Sequence, residues 1–365
     1  MTAAEICAAL VRIPTAAGHP TRPAIELCAE LLRPAGFRVL QVMETAPGVA
    51  HGLLERPGEE PGLFLDAHLD TVPTGDREQW QADPLGGELI QGAVWGRGAA
   101  DDKGPLAAAL AALGGDYRRR VALSLTGDEE TDMRGMRALA EHPVVGSAAW
   151  GLVLEPTSLV PVFTHKGNAR IRVDVAGRAA HASRPWEGRS AIADKLRLLA
   201  AVEDWFAQEE SGNRLPAYGE EPATLAVTRE HTPNPAYNVI PDRASFWYNY
   251  RPLPGQGEPF ARFADLVRRE AARLGISAQV EVEFAVPPFY TDPEGGLVQA
   301  LAQASGCAPR WVAYGTHAGY LAGQIPELAV FGPGGIECSH REDEHVSVTE
   351  LEQAVAVLAS LLASG

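Results

Sequence analysis

The sequence is poor in the features that mark several classes of protein. It has four cysteines in 365 residues and no Cys-x-x-Cys pair, which disfavours a disulfide framework and is typical of a reducing compartment. No apolar run is long enough to span a membrane, and the first residues lack the basic start and apolar stretch of a secretory signal. These absences predict a cytoplasmic protein that does not bind a membrane.

Positive charge is also scarce. Lysine and arginine number 31 against 47 acidic residues, and the formal net charge is -16. Nucleic-acid binding requires clustered cations that face backbone phosphates, so this excess of acids disfavours it. The sequence has no Gly-x-Ser-x-Gly elbow of a serine hydrolase, and acids follow the Gly-x-Gly of GRGAAD, where they would repel a dinucleotide. We therefore expect small molecules as partners.

Strands and helices alternate in two different ways along the chain. In 1–165 strands such as GLFLDAHL, VALSLTG and GLVLEP alternate with helical patterns, and this pattern resumes in 286–365. Residues 166–285 follow the order β-α-β-β-α-β, which is typical of a ferredoxin-like unit. The sequence predicts an α/β outer domain, with a mixed and mostly parallel sheet sandwiched by helices, and an α+β domain inserted within it.

One predicted strand carries charge on alternate residues. In LFLDAHLDTVPTG, the side chains of Asp66, His68 and Asp70 share one face of an extended chain. A buried carboxylate without a partner is too costly to keep, so that face is open to solvent, paired internally or holding a cation. We interpret Asp66 as a solvated or hydrogen-bonded acid.

Metal-type ligands follow several predicted strands. Ligands in open α/β sheets collect beyond the carboxyl ends of strands, and the sequence places His68, the Glu129–Glu130 pair, Glu155 and His340 there. Asp101 lies just before a predicted helix. Each residue alone also has an ordinary interpretation as a core histidine, a helix cap or a surface acid.

Together, two imidazoles and three carboxylates at one edge favour bound cations, because the acids would otherwise repel one another. The imidazoles are those of His68 and His340, and the carboxylates are those of Asp101, Glu130 and Glu155. Nitrogen and oxygen ligands suit zinc or related divalent ions, and the set is one ligand short of two three-residue sites, so one acid must be shared. Two divalent ions, three carboxylates and a bridging hydroxide would be neutral. Asp70 would then accept the ring N–H of His68 that no metal uses.

These stretches resemble the dinuclear-zinc metallopeptidase and deacylase family. AHLDTVP, GRGAADDKG, TGDEE, LEPTS and SHREDEH match its metal motifs in order and spacing, over nearly the whole chain. The resemblance implies that His68 and Glu155 bind one ion, that Glu130 and His340 bind the other, and that Asp101 lies between them. Glu129 would be the free carboxylate that acts as general base.

The resemblance also implies an activity. It predicts hydrolysis of the amide bond of an N-acyl-L-amino acid by a hydroxide that bridges two zinc ions, with cobalt or manganese as alternatives. FGPGGIECSHREDEH and YGTHAGY resemble the acetylornithine deacetylases of the family. The alternatives are a metallo-carboxypeptidase, a dipeptidase or a desuccinylase acting on another small substrate, and a non-catalytic metal-binding module. A free Glu129 argues against the last, because a structural site gains nothing from an unligated acid.

Substrate-binding residues are implied in the inserted domain. GRAAHASRPWEG resembles the family's lid segment, whose histidine, here His181, helps to bind the tetrahedral intermediate. Asn238 in PAYNVIPD and Arg251 in YNYRPLPG resemble substrate contacts, and an arginine fork suits a carboxylate. The chain departs from the family at Asp102, where relatives often have an apolar residue, and at His317, where they often have an acid. We expect His317 to contact the substrate.

The inserted domain is also expected to form a homodimer. NARIRVDVAG and AQVEVEFAV are alternating strands, and each can offer an edge that pairs with its copy through main-chain hydrogen bonds. Such a pairing would tie two lids together. In the family resembled, the lid histidine reaches the metal centre of the neighbouring chain, so we expect His181 to act across the dimer.

Overall fold

The computed structural model describes residues 1–363 apart from 211, 220 and 235, and the chain divides into two compact units. The outer unit comprises Met1–Thr164, Tyr290–Trp311 and Thr316–Gly365, and the inserted unit comprises His165–Phe289 and Val312–Gly315. The predicted boundaries at 166 and 285 lie close to these, but the sequence pattern assigns Val312–Gly315 to the outer domain. Within the inserted unit, the Arg251 guanidinium donates to the Ala313 carbonyl of this segment at 3.2 Å.

The strands and helices of the outer unit alternate along the chain. Its strands are β1 (Arg38–Ala46), β2 (Val49–Arg56), β3 (Glu59–His68), β4 (Glu88–Ile90), β5 (Ala93–Trp95), β6 (Arg119–Thr126), β7 (Trp150–Leu154), β8 (Val162–His165), β15 (Phe289–Tyr290), β16 (Arg310–Val312), β17 (Glu327–Phe331) and β18 (His345–Ser347). Its helices are α1 (Ala3–Val11), α2 (Arg22–Leu32), α3 (Lys103–Leu113), α4 (Arg134–Leu139), α5 (Pro143–Gly146), α8 (Gly296–Ser305), α9 (Ala318–Leu321) and α10 (Val348–Ala363).

The main sheet is mixed. Its strand order is β1-β2-β6-β3-β7-β17-β8-β15, with β16 paired to β8, and a separate small sheet has the order β18-β5-β4. The central strands β6, β3, β7 and β17 are parallel, whereas β1, β2 and β8 run antiparallel to their neighbours. The predicted α/β sheet is confirmed, although only its centre is parallel. Strands β1 and β2 are joined by a tight turn, which can connect only antiparallel neighbours.

Helix α3 fixes one side of the central strands. Its sequence KGPLAAALAAL is rich in alanine, and nearly every residue is buried. It packs against α1, α10 and β3. Small side chains allow this close approach, which brings the loop before α3 to the carboxyl end of β3. There the Asp102 carboxylate accepts the main-chain N–H of His68 at 3.2 Å.

The inserted unit is a four-stranded antiparallel sheet with helices on one face. Its elements are β9 (Asn168–Ala176), β10 (Ala180–His181), α6 (Ala191–Trp205) with a π-helical turn at Phe206–Glu210, β11 (Thr224–His231), β12 (Val239–Ile240), β13 (Arg243–Arg251), α7 (Pro259–Arg273) and β14 (Ser277–Val286). Alternate residues of β9, such as Ile171 and Val173, form a core with Leu198 of α6 and Phe263 of α7. Apart from the two-residue strands β10 and β12, the elements follow the order β-α-β-β-α-β.

The sheet order β11-β13-β9-β14 corrects one expectation about edges. NARIRVDVAG forms β9, which is hydrogen-bonded on both sides by β13 and β14 and therefore offers no edge. AQVEVEFAV lies in β14, which is an edge strand. A separate two-stranded ribbon pairs β10 with β12. Among the described residues, no helix combines the length and apolar character needed to cross a bilayer.

Candidate metal centre

The expected ligands lie at one edge of the main sheet. The carboxyl ends of four adjacent parallel strands, β6, β3, β7 and β17, meet there. His68 is the last residue of β3, Glu130 follows β6, Glu155 follows β7 directly, and His340 lies on the turn after β17. Asp101 comes from the loop that precedes α3. Parallel pairing thus brings together residues that are far apart in the sequence.

The first group of ligand atoms belongs to His68, Asp101 and Glu155. One potential ligand atom from each lies within 4.8 Å of the others, and all three residues are buried. The Nε2 atom of His68 is 2.8 Å from Oδ1 of Asp101. Two carboxylates and one imidazole in such a small volume suit a single divalent ion.

The second group belongs to Asp101, Glu130 and His340, within the same spacing of 4.8 Å. The Nε2 atom of His340 is 2.8 Å from Oε1 of Glu130 and 3.4 Å from Oδ2 of Asp101. Asp101 therefore directs one carboxylate oxygen at each histidine, so it is the residue that two ions would share. The five residues thus form two groups that have Asp101 in common.

The electrostatics of the cluster fit bound cations. Burial, together with the neighbouring acids Asp101 and Glu129, raises the pKa of Glu155 well above its usual range. Hydrogen bonds with Asp101 and Glu130 raise the pKa of His340 to about 10. A cation would replace the protons held by these groups, because carboxylates and imidazoles bind metals in their deprotonated forms. The residues present therefore suit two divalent ions.

The loop that carries Asp101 is fixed by a buried ion pair that the sequence analysis missed. Glu344 accepts the main-chain N–H groups of Ala100 and Asp101 at 3.0 and 3.1 Å. Its other carboxylate oxygen is 2.6 Å from Nη1 of Arg97. Glu344 lies in the charged run SHREDEH, which reads as a solvated surface. It is nevertheless buried, and its partner Arg97 lies 247 residues away in the sequence.

Asp70 holds both the turn that carries Glu129 and the ring of His68. Its carboxylate accepts the main-chain N–H groups of Glu129 and Glu130 at 3.0 Å each. Its carbonyl is 3.0 Å from Nδ1 of His68, and its nearest carboxylate oxygen is 3.6 Å from that nitrogen. The sequence predicts that the carboxylate accepts this N–H. The carbonyl is the closer acceptor, because the carboxylate is held by the two main-chain N–H groups.

Glu129 lies beside the cluster but belongs to neither ligand group. Burial raises its pKa to about 8, against the opposing charges of His68 and His317. A carboxylate with such a pKa can accept and return a proton near neutral pH.

Asp66 and His317 lie next to each other in the outer unit. Asp66 is fully buried, so its interpretation as a solvated acid is wrong and only the hydrogen-bonded alternative holds. Its carboxylate accepts the Ser124 hydroxyl at 2.6 Å and lies 2.8 Å from Nδ1 of His317. His317 is itself buried. The signal in the sequence was the charge on an otherwise apolar strand, which required an internal partner.

The remaining candidates lie in the inserted unit. His181 ends β10, and Asn238 lies in the turn just before β12, where its carbonyl accepts the N–H of Ala182 at 2.8 Å. His181 is exposed, and its Nδ1 lies 2.7 Å from the Ser183 hydroxyl. Arg251 ends β13, and its Nε donates to the Asn249 side chain at 3.0 Å. These contacts orient the side chains of His181 and Arg251 within the inserted unit.

Comparison with known proteins agrees with this geometry. Residues 64–364 match the sequence profile of peptidase family M20/M25/M40. The chain is 33% identical to an acetylornithine deacetylase from Myxococcus xanthus, over 97% of this chain and 95% of the relative. It is 29% identical to a succinyl-diaminopimelate desuccinylase from Methylobacterium radiotolerans, over 97% and 94%. A crystal structure from Bacillus subtilis, described as a dinuclear metal binding peptidase from the M20 family, shares its fold with a TM-score of 0.70, at 16% identity over 99% and 96% of the two chains. The chain belongs to peptidase family M20/M25/M40 and is a hydrolase of that family.

Proposed function

We propose that the protein is a zinc-dependent amidohydrolase that removes the acyl group from an N-acyl-L-amino acid. The observation that carries this proposal is Glu129, a carboxylate with a raised pKa that lies beside the ligand cluster without belonging to it. The relative named acetylornithine deacetylase, which covers nearly the whole chain, supports an N-acetyl amino acid as the substrate class.

His68, Asp101, Glu130, Glu155 and His340 would hold two divalent ions, which would supply polarisation of the amide carbonyl and a lowered pKa for the attacking water. Glu129 takes the proton from the attacking water and returns it to the leaving nitrogen. Asp70 keeps the main chain of Glu129 in place through the N–H group that it accepts. The Asp70 carbonyl fixes the ring of His68 with Nε2 facing Asp101.

The inserted unit would supply the contacts that select the substrate. Arg251, oriented by Asn249 and by the Ala313 carbonyl, would bind the substrate α-carboxylate through a bidentate hydrogen bond. Asn238 and His181 would bind the acyl group and the developing oxyanion. We also propose a cytoplasmic homodimer that forms through the exposed edge of β14, with His181 acting on the partner's centre.

The dimer proposal has its own test. An inactive His181→Ala chain is mixed with an inactive Glu129→Ala chain, because one site of the mixed dimer then holds both groups intact. Recovered activity is expected. Mixed dimers that form but stay inactive would show that His181 does not act across the dimer.

A second candidate is removal of a succinyl group, favoured by the relative named succinyl-diaminopimelate desuccinylase. The deciding experiment is a screen of N-acetyl, N-succinyl and N-carbamoyl amino acids and of dipeptides, with added zinc, cobalt or manganese. We expect the highest kcat/KM on an N-acetyl amino acid. Preference for dipeptides would make the protein a peptidase, and no turnover of any substrate would favour a non-catalytic metal-binding module.

A further inference from the structure

A buried histidine of β2 lies beside the segment that carries Glu129 and Glu130. This segment, 127–135, follows β6 and leads into α4. Strand β2 pairs antiparallel with β6, so the start of β2 lies at the carboxyl end of β6. His51 occupies that position and is fully buried. The pairing of the two strands therefore brings its imidazole to the base of the segment.

The ring of His51 contacts both ends of the segment 127–135. Its Nδ1 accepts the main-chain N–H of Gly127 at 3.2 Å. At the other end, a methyl group added to Gly135 would overlap the same nitrogen, so the ring lies directly against the main chain there. Only glycine fits at position 135 while the ring keeps this place. The imidazole is therefore packed between the start and the end of the segment.

The hydrogen bonds of His51 determine which ring nitrogen carries the hydrogen. Because Nδ1 accepts an N–H, it has no hydrogen of its own, and Nε2 carries the hydrogen of the neutral ring. Nε2 lies 2.8 Å from the Thr45 hydroxyl, which accepts this hydrogen and donates its own to Oδ2 of Asp128 at 3.3 Å. Burial lowers the pKa of His51, in agreement with a neutral ring.

Asp128 completes the network. Both of its carboxylate oxygens accept the N–H of Gly135, at 3.1 and 3.0 Å. Its Oδ1 is 3.8 Å from Nδ1 of His51, which is too far for a hydrogen bond, and the Gly127 N–H already occupies that nitrogen. The network therefore runs from Gly127 through His51, Thr45 and Asp128 to Gly135, and every donor in it meets an acceptor.

We propose that His51 is a positioning residue that holds the segment 127–135 in the shape that presents Glu129 and Glu130 to the metal centre. This inference rests on the proposed function, in which Glu129 is the general base and Glu130 a ligand. Asp70 accepts the main-chain N–H groups of these two residues, and His51 accepts that of Gly127, two positions before the base. His51 acts through the main chain and transfers no proton.

Three substitutions of His51 separate the roles of its two ring nitrogens. The side-chain oxygen of His51→Asn can take the place of Nδ1 and accept the Gly127 N–H, but asparagine is too short to reach Thr45. The longer side chain of His51→Gln can donate to Thr45, but its amide lies beyond the position of Nδ1. His51→Leu makes neither contact. At saturating zinc we expect His51→Leu to lower kcat about 10- to 100-fold, the scale of an outer group that orients a ligand, with KM unchanged. His51→Asn should recover more of this loss than His51→Gln.

Zinc binding gives a readout that does not depend on turnover. Calorimetric titration of His340→Asn identifies the binding event of the group that contains Glu130, because this variant loses it. We expect His51→Leu to weaken that event about 10-fold and to leave the event of the other group unchanged. Equal weakening of both events, or of neither, would overturn the positioning role.

His142→Leu is the matched control. Nδ1 of His142 also accepts a main-chain N–H at 3.2 Å, but that N–H belongs to Val144 at the start of α5. This variant should keep wild-type kcat and zinc binding, and circular dichroism with thermal melting checks that all variants fold. A loss in His142→Leu as large as that in His51→Leu would show that the loss at position 51 is not specific. If His51→Leu does not fold, the other two variants decide, and the proposal fails if glutamine retains as much kcat as asparagine.

A double-mutant cycle with Glu129→Gln separates this inference from the proposed function. If His51 positions the base, His51→Leu costs little more kcat once Glu129 has been replaced. The same fold-loss in both backgrounds would overturn the positioning of the base and leave the proposed function intact. Full activity of Glu129→Gln alone would instead refute the proposed function, and the zinc titration would still test whether His51 positions Glu130.

Discussion

Replacement of Glu344 by glutamine should destabilise the metal-free protein far more than loss of a surface carboxylate. The side chains of Glu344 and Arg97 are only 1% and 4% exposed, and their nearest atoms are 2.6 Å apart. Removing one partner of a buried ion pair leaves the other charge uncompensated and typically costs about 3–5 kcal/mol. Glutamine still offers an oxygen to the two main-chain N–H groups, so we expect a loss of about 3 kcal/mol in the free energy of unfolding.

Glu44→Gln is the matched control. Glu44 pairs with Arg22 at 3.1 Å, but the side chains of Arg22 and Glu44 are 47% and 42% exposed, and exposed pairs contribute at most about 1 kcal/mol. Urea denaturation of the metal-free proteins, followed by circular dichroism, compares the two variants. A difference of less than about 1 kcal/mol between them would refute the argument from burial.

The same variant tests whether the pair positions Asp101. The Asp101 N–H would lose its ionic acceptor, and loss of a group that orients a ligand typically lowers metal affinity about 10- to 100-fold. Calorimetric titration of zinc into the metal-free variant measures this directly. Unchanged affinity in a variant of reduced stability would mean that the pair supports the fold alone.

Four further predictions concern the ions, the base, the substrate and pH. Metal analysis of fully active protein should find two divalent ions per chain, and one ion or none would contradict the shared site. Glu129→Ala should keep both ions but lose about 10²–10⁴ in kcat, and loss of metal would identify Glu129 as a ligand. Arg251→Ala should raise KM strongly, whereas wild-type protein equally active on acid and amidated substrates would remove its role. In metal-free protein, the raised pKa of His340 stabilises the fold fully below pH 6.5, and this contribution is lost as pH rises through about 10. The difference in unfolding free energy between wild type and His340→Asn should shrink over that range, and a constant difference would contradict it.

Sequence reasoning could propose His68, Glu130, Glu155 and His340 as ligands because each one follows a strand of the parallel centre, whereas Asp101 was proposed from its position before a predicted helix. His68 ends β3 and Glu155 follows β7, and the carboxyl ends of parallel neighbours necessarily share an edge. The order of strands and helices in the inserted unit could also be predicted, because apolar residues alternate with a period of two in its strands. Local patterns of this kind are enough to predict that residues lie close together when each residue ends a strand of the same parallel sheet.

The side-chain contacts around the site could not be predicted, because they join residues that are far apart in the sequence. Asp66 and His317 are 251 residues apart, and nothing near either residue shows that they meet. Glu344 has charged neighbours in the sequence, which suggest an exposed segment. Its partners are Arg97 and the main chain of Ala100, and neither lies near it in the sequence. Sequence periodicity also gave no sign that β9 would be internal, since edge and central strands of an antiparallel sheet share the same alternation.

The buried acids near the metal centre fall into two classes, ligands that could bind ions and supports that accept main-chain N–H groups. These two classes explain how the edge of the main sheet can carry so much negative charge. Two buried acids outside the ligand groups, Asp70 and Glu344, each accept two main-chain N–H groups of the loops around the site. Asp70 lies 3.6 Å from Nδ1 of His68, and Glu344 lies 2.6 Å from Nη1 of Arg97. Main-chain donors and basic partners offset the cost of burying the supports, whereas the ligands need ions to offset theirs. The loops can therefore keep their shape when the ions leave, and loss of metal should reduce activity before it unfolds the site.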